Sequence, residues 1–476
     1  LIDQLQKVPT GIRGLDELTG GGLPAGRPTL VCGGPGCGKT LLAITFLVHG
    51  AVDHGQPGLL VSFDERIADL TVNVASLGFD LADLQRRKLL ATDYVRIDRQ
   101  EMHETGEYDL EALFIRLGHA VQTVGARRVV LDTIDTLFAG IPNEAIVRSE
   151  LRRLFDWLKD RQLSTVITAE RGEGSLTRHG IEEYVSDCVI LLDHRIVDDL
   201  STRRLRVVKY RGTSHGTNEY PFTIDDQGIT VLPITSTRLA HAATDETVSS
   251  GVSELDAMLG RGGHFRGSSI MLSGGPGTGK TTIGASFADR TCSRGERCLY
   301  FAFEESPSQL VRNMRSAGVD LRPWIDQGLL LVQSSRPSLG GLEMHLALML
   351  KAVQDFSPSA VVVDPLSALV ASGMHYQTAS MAVRLADYLK SNMVTALYIS
   401  LQDQEGPSGL DISSIMDTWI VVRNERTDRE LSRRLHIVKS RGMDHSSAVR
   451  RMEITGSGVQ LTDLALGATQ AEQSGR

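Results

Sequence analysis

"CGGPGCGKT" (Cys32–Thr40) and "SGGPGTGKTT" (Ser273–Thr282) are near copies of each other in opposite halves of the chain. Each fits G-x-x-x-x-G-K-[ST], through Gly33, Gly38, Lys39 and Thr40 and through Gly274, Gly279, Lys280 and Thr281. Gly34, Pro35, Gly36 and Cys37 complete the first loop, and Gly275, Pro276, Gly277 and Thr278 the second. Glycines at these spacings let the chain curl until successive backbone N–H groups converge on one anion. A helix that begins at the lysine adds the positive end of its dipole. The lysine then neutralises β and γ phosphates, and the threonine hydroxyl is placed to ligate Mg²⁺. Both loops are therefore expected to hold a nucleoside triphosphate.

The surroundings of the loops repeat as well. "TGIRGLDELTGG" from Thr10 is echoed by "SGVSELDAMLGR" from Ser250, each with a Leu-Asp pair after a glycine. "GLLVSFDE" (Gly58–Glu65) recurs as "CLYFAFEE" (Cys298–Glu305), and "RRVVLD" (Arg127–Asp132) as "AVVVDP" (Ala360–Pro365). "LRVVKYRGTSH" (Leu205–His215) recurs as "LHIVKSRGMDH" (Leu435–His445). The same landmarks in the same order make one domain written twice. Apolar runs without alternation, such as "PTLVCG" and "CVILL", read as parallel strands covered on both faces. Segments of helical spacing that end on glycine separate them. The expected fold is α/β: two tandem P-loop domains, each a doubly wound, mostly parallel sheet flanked by helices. The seam is expected near His241–Asp245, giving domains 1–240 and 245–463 and a disordered tail, 464–476.

Acidic residues stand at the predicted strand ends. Asp132 and Asp364 each close an apolar strand expected beside the loop strand, where a carboxylate completes a Mg²⁺ shell. Asp64-Glu65 and Glu304-Glu305 end the second strands and face the same crevice, where a carboxylate can deprotonate an attacking water or hydroxyl. Glu304 is also a candidate for the metal shell.

These residues resemble the KaiC family of RecA-like ATPases over almost the whole chain. The resemblance rests on the duplicated loops, the F-[DE]-E strand ends, both K-x-R-G strands, "KYRGTSHGTNEYPFTI" (Lys209–Ile224) and "DISSIMDT" (Asp411–Thr418). It implies a double-ring homohexamer with ATP between adjacent copies. Lys209 and Arg211, then Lys439 and Arg441, would reach a neighbour's nucleotide. It also assigns ATP contacts to Leu41, Ser76, Thr213, His215, Thr282, Arg433 and His445. It places autophosphorylation at Ser413 and Ser414, where the family's usual second residue is threonine. The first half has only Ser186 in the corresponding stretch, so slow ATP hydrolysis and ring assembly are expected there, and autokinase and autophosphatase activity in the second half. A KaiB-like partner is expected on the first ring. KaiA binding is not expected, because the family's longer tail is missing.

Composition narrows the alternatives. With 476 residues, 41% hydrophobic and 23% charged, the chain reads as a multidomain globular protein. No run of about 18 apolar residues suggests a membrane span, and "LIDQLQKVPT" lacks the order of a secretory signal. A net charge of −8 argues against general nucleic-acid binding. Cys32, Cys37, Cys188, Cys292 and Cys298 form no C-x-x-C pair, as expected of reduced thiols in the cytoplasm. A RecA-like DNA motor would share the nucleotide core but would need a basic channel and DNA-stimulated turnover. A nucleotide-gated scaffold would bind ATP without turning it over.

Overall fold

The computed structural model describes residues 5–96, 110–138, 141, 143–172, 176–177, 186–197, 200–225, 228–232, 243–336, 341–372, 375–401, 412–426 and 431–464. The chain divides into two compact units, Leu1–Thr235 and Ser236–Arg476. Part of the expected seam, including His241, and all but the first residue of the expected tail lie outside the described residues.

In the first unit the described sheet strands are β1 (Pro28–Gly33), β2 (Gly58–Ser62), β3 (Leu90–Tyr94), β4 (Arg128–Asp132), β5 (Ser164–Glu170), β6 (Cys188–Val197), β7 (Leu200–Tyr210), β8 (Glu219–Asp225) and β9 (Gly228–Val231). They lie in the order β9-β8-β7-β6-β1-β5-β4-β2-β3. The run from β6 to β3 is parallel, and β6 to β9 is an antiparallel meander. The second unit repeats this order with β10 (Ser269–Gly274), β11 (Cys298–Ala302), β12 (Leu330–Ser334), β13 (Ala360–Asp364), β14 (Thr395–Ser400), β15 (Thr418–Arg426), β16 (Leu431–Ser440), β17 (Arg450–Thr455) and β18 (Gly458–Asp463). Asp132 and Asp364 do not end strands beside the loop strand as expected. β5 and β14, supplied by later segments of the chain, are inserted between.

Burial explains why these runs lack alternation. Leu60 and Val130 pack with Phe46 and Leu47 of helix α1 (Lys39–His54) on one face of the sheet. Their neighbours Leu59, Val61, Val129 and Leu131 pack on the other face, with Leu151, Leu154, Phe155 and Leu158 of the helix Glu144–Asp160. That amphipathic helix covers the sheet. The repeated Leu-Asp pairs close the turn that precedes each loop strand. Asp16 accepts from the Thr10 N–H (2.8 Å) and hydroxyl (2.7 Å), and Asp256 accepts from the Ser250 N–H (2.7 Å). Gly251, at φ 83°, needs its lack of a Cβ, which would sit 2.1 Å from the Ser286 carbonyl oxygen. All five cysteines are buried and outside any disulfide, and no described helix is long and apolar enough to cross a membrane.

One core position differs between the units. In the short ladders ahead of the loop strands, Leu23 pairs with Val8, whereas His264 pairs with Val248. His264 is buried among Leu255, Ile270, Leu272 and Phe287, and that burial lowers its pKa to about 4. Below pH 6.5 the unfolded chain takes up a proton that the folded unit refuses, so stability is lost as pH falls from 6.5 towards 4. The loss reaches about 3 kcal/mol. Amide exchange is expected to show the second unit's strands losing protection on acidification more than the first unit's. His264→Leu should remove the excess; an unchanged gap would exclude this imidazole as its source.

Candidate functional site

Each loop forms where the all-buried central strand, β1 or β10, ends and a helix begins. The helices are α1 and α2 (Lys280–Ser293), and both start after a left-handed glycine: Gly38 at φ 101° and Gly279 at φ 91°. A side chain at Gly279 would put its Cβ 2.3 Å from the Ile454 Cδ1. The Lys39 ammonium donates to the carbonyls of Gly33 (2.7 Å) and Gly34 (3.0 Å), and that of Lys280 to Gly274 (2.7 Å) and Gly275 (2.6 Å). Thr278 braces the second loop by donating to the Gly275 carbonyl at 2.9 Å. In the first loop the same place is held by Cys37, a buried thiol whose pKa burial raises. Pro35, Gly36, Pro276 and Gly277 form the turn of each loop, while Leu41 and Thr282 lie in the first turns of the helices.

The strand-end acids converge on these loops. The Thr40 hydroxyl donates to Asp132 at 3.0 Å, across the intervening strand. Thr281 likewise bonds Asp364. Both carboxyls are buried, and desolvation raises their pKa values despite these hydrogen bonds. Each has a second buried hydroxyl partner that sequence reading missed, supplied from a different strand. Thr168 of β5 donates to Asp132, whereas Tyr300 of β11 donates to Asp364 at 2.6 Å.

The acid pairs divide their settings. Asp64 and Glu304 are exposed at the strand ends. Glu65 accepts from Asn73 (2.6 Å) and Glu305 from Asn313 (3.2 Å), so the second acid of each pair is fixed to the following helix. Burial, and then the charge of Asp132, raises the pKa of Glu65. Ser76 ends that helix in the first unit, with its hydroxyl on the Asn73 carbonyl. Arg433 reaches its own loop, at 3.5 Å from the Gly277 carbonyl.

The K-x-R-G residues lie at the other end of each sheet. Lys209 pairs with Val189 and Lys439 with Trp419, near the starts of β6 and β15. The loops follow the far ends of β1 and β10, where Gly33 pairs with Leu192 and Gly274 with Val422. At about 3.3 Å per residue, some 10–13 Å of strand separates the two levels. Thr213, which accepts from Lys7 at 3.0 Å, and His215 and His445 follow these strands and share the far end. Burial, and then the charge of Arg441, lowers the Lys439 pKa. Ser413 and Ser414 open a short 3₁₀ turn at this end, where Ser414 is exposed and its carbonyl accepts from Arg441. Ser186 is fully buried. By register it matches Met416 rather than either serine.

A family model described as KaiC ATPase matches residues 8–236 and again 248–465. Over 473 residues the chain is 52% identical to the circadian clock protein KaiC2 of Synechocystis sp., covering 98% of this chain and 83% of that protein. It is 38% identical over 466 residues to the circadian clock oscillator protein KaiC of Synechococcus elongatus, covering 96% and 89%. With two mostly parallel sheets of the same strand order, each carrying its own P-loop, the chain belongs to the KaiC family of duplicated RecA-like ATPases.

Proposed function

We propose that the chain is an autophosphorylating serine kinase and slow ATPase, assembled as a homohexamer with each ATP between the P-loop of one copy and the cation end of the next. One observation carries this reading. In each unit the loop and the K-x-R-G cations occupy opposite ends of one sheet, so neither set serves the other within a copy. A head-to-tail neighbour brings the two ends together. Residues 1–240 then hydrolyse ATP and hold the ring, and residues 245–463 carry the kinase.

In the second unit Lys280 and the loop N–H groups hold the triphosphate, and Glu304 takes the proton from the hydroxyl of a neighbour's Ser413 or Ser414. The serine oxygen bonds to the γ-phosphorus, the bond to the β-phosphate oxygen breaks, and ADP leaves. Lys439 and Arg441, supplied by the serine-bearing copy, stabilise charge on the transferring group. Run backwards, the transfer returns the phosphoryl group to ADP. Thr40 with Asp132, and Thr281 with Asp364, present a hydroxyl and a carboxylate together, which suits Mg²⁺, an ion that keeps most of its waters. Bound there, the ion would neutralise phosphate charge. A timing role belongs to the same reading through the relatives' names, and a KaiB-like partner on the first ring through the family resemblance.

Native mass measurement with and without ATP, followed by phosphosite mapping, tests it. ATP is expected to yield a particle of six copies, with phosphate on Ser413 or Ser414. Unmodified serines in such particles would remove the kinase.

A further inference from the structure

Asp187 and Asp417 occupy the same place in the two units, immediately before β6 and β15, and they spend their carboxylates differently. Both backbone carbonyls accept from the arginine of K-x-R-G: Arg211 N–H at 2.9 Å and Arg441 N–H at 2.8 Å. Both also meet the last-turn lysine of the helix behind them, Lys159 and Lys390, each at 2.8 Å. The remaining capacity is where they part. Asp417 accepts from the Ser269 N–H at 2.8 Å. The matching residue of β1 is Pro28, which has no N–H to give. Asp187 is left facing cations, with Arg211 at 3.6 Å and Arg27 at 4.0 Å. Its side chain is only 6% exposed, whereas that of Arg211 is 53% exposed. The carboxylate is thus a poorly solvated anchor under an exposed guanidinium, the setting in which an ion pair orients its partner. Arg441 has no such anchor in Asp417 and bonds the Ser414 carbonyl instead.

We propose that Asp187 is the positioning residue that aims Arg211 at an adjacent copy's nucleotide, and that in the second unit this task passes to the backbone of the serine turn. The inference rests on the reading that Arg211 acts in trans. In the first unit the aim is fixed by the core and is independent of phosphorylation. In the second it follows the turn that carries Ser413 and Ser414.

The test uses full-length chains carrying Lys280→Ala, so that only the first loop turns over. Asp187→Asn is expected to slow ATP turnover about tenfold with nucleotide affinity unchanged, the scale of losing an orienting partner. In an Arg211→Ala background it should add nothing, because the arginine it aims is gone. Pro28→Ser leaves the carboxylate in place but offers it a competing N–H, and should slow turnover in the same direction by less. Normal turnover in Asp187→Asn beside a slow Arg211→Ala would overturn the proposal and leave the trans reading standing. Equal slowing with and without Arg211 would overturn it as well, since that marks a merely structural role. Unimpaired Arg211→Ala would instead remove the trans reading beneath it.

Discussion

Chains carrying Arg441→Ala and chains carrying Lys280→Ala, each slow to phosphorylate itself, are expected to regain transfer when mixed. Alone, each variant should lose about 10²–10³ in rate, the scale for removing a group that stabilises developing phosphoryl charge. The mixture restores one kind of junction. A copy with an intact Lys280 holds the ATP, and its neighbour with an intact Arg441 presents the serines. Phosphate should therefore appear on the Lys280→Ala chains and not on the Arg441→Ala chains, as mass tags on either variant would show. This asymmetry follows from register: Ser414 and Arg441 sit together at the starts of β15 and the loop follows the end of β10, so the serines of one copy cannot meet its own loop. Phosphate on the chain that holds the nucleotide would contradict it.

Glu304→Gln should lower the rate of serine phosphorylation by about 10²–10⁴, the usual contribution of a positioned general base, with ATP binding unchanged. Glu305→Gln is expected to differ in kind. Its carboxylate accepts from Asn313 of the following helix, so its replacement should disturb the strand end and its thermal stability more than the chemistry. Single-turnover transfer alongside nucleotide titration separates the two outcomes. A fast Glu304→Gln with a slow Glu305→Gln would exchange their roles.

Much of this was legible in the residues. The glycine loops declare themselves because phosphate binding needs a fixed spacing along one stretch of chain, and the all-apolar strands follow from being covered on both faces. Strand order was harder. β5 and β14 enter beside the loop strand from segments far downstream, and nothing local in "RRVVLD" records that insertion. Thr168 and Tyr300 escaped notice because each unit solves the same need, a donor for a buried carboxylate, from a different strand. Asp187 could have been found: it stands in "SDCV" as Asp417 stands in "MDTW", and both precede a strand in aligned positions. Its different use could not be foreseen without the register that sets Pro28 against Ser269.

The placement of the phosphate cradle and the arginine at opposite poles of one sheet has a consequence for assembly. Two copies related by a twofold axis would bring cradle against cradle and leave both incomplete. If ATP is shared between copies as proposed, a productive contact is asymmetric, with each copy giving one surface and receiving the other, and such a chain of contacts stays unfinished until it closes on itself. On the proposed reading, dilution would silence both reactions long before any copy unfolded, because an isolated copy would hold two half-sites in each unit and a whole one in neither.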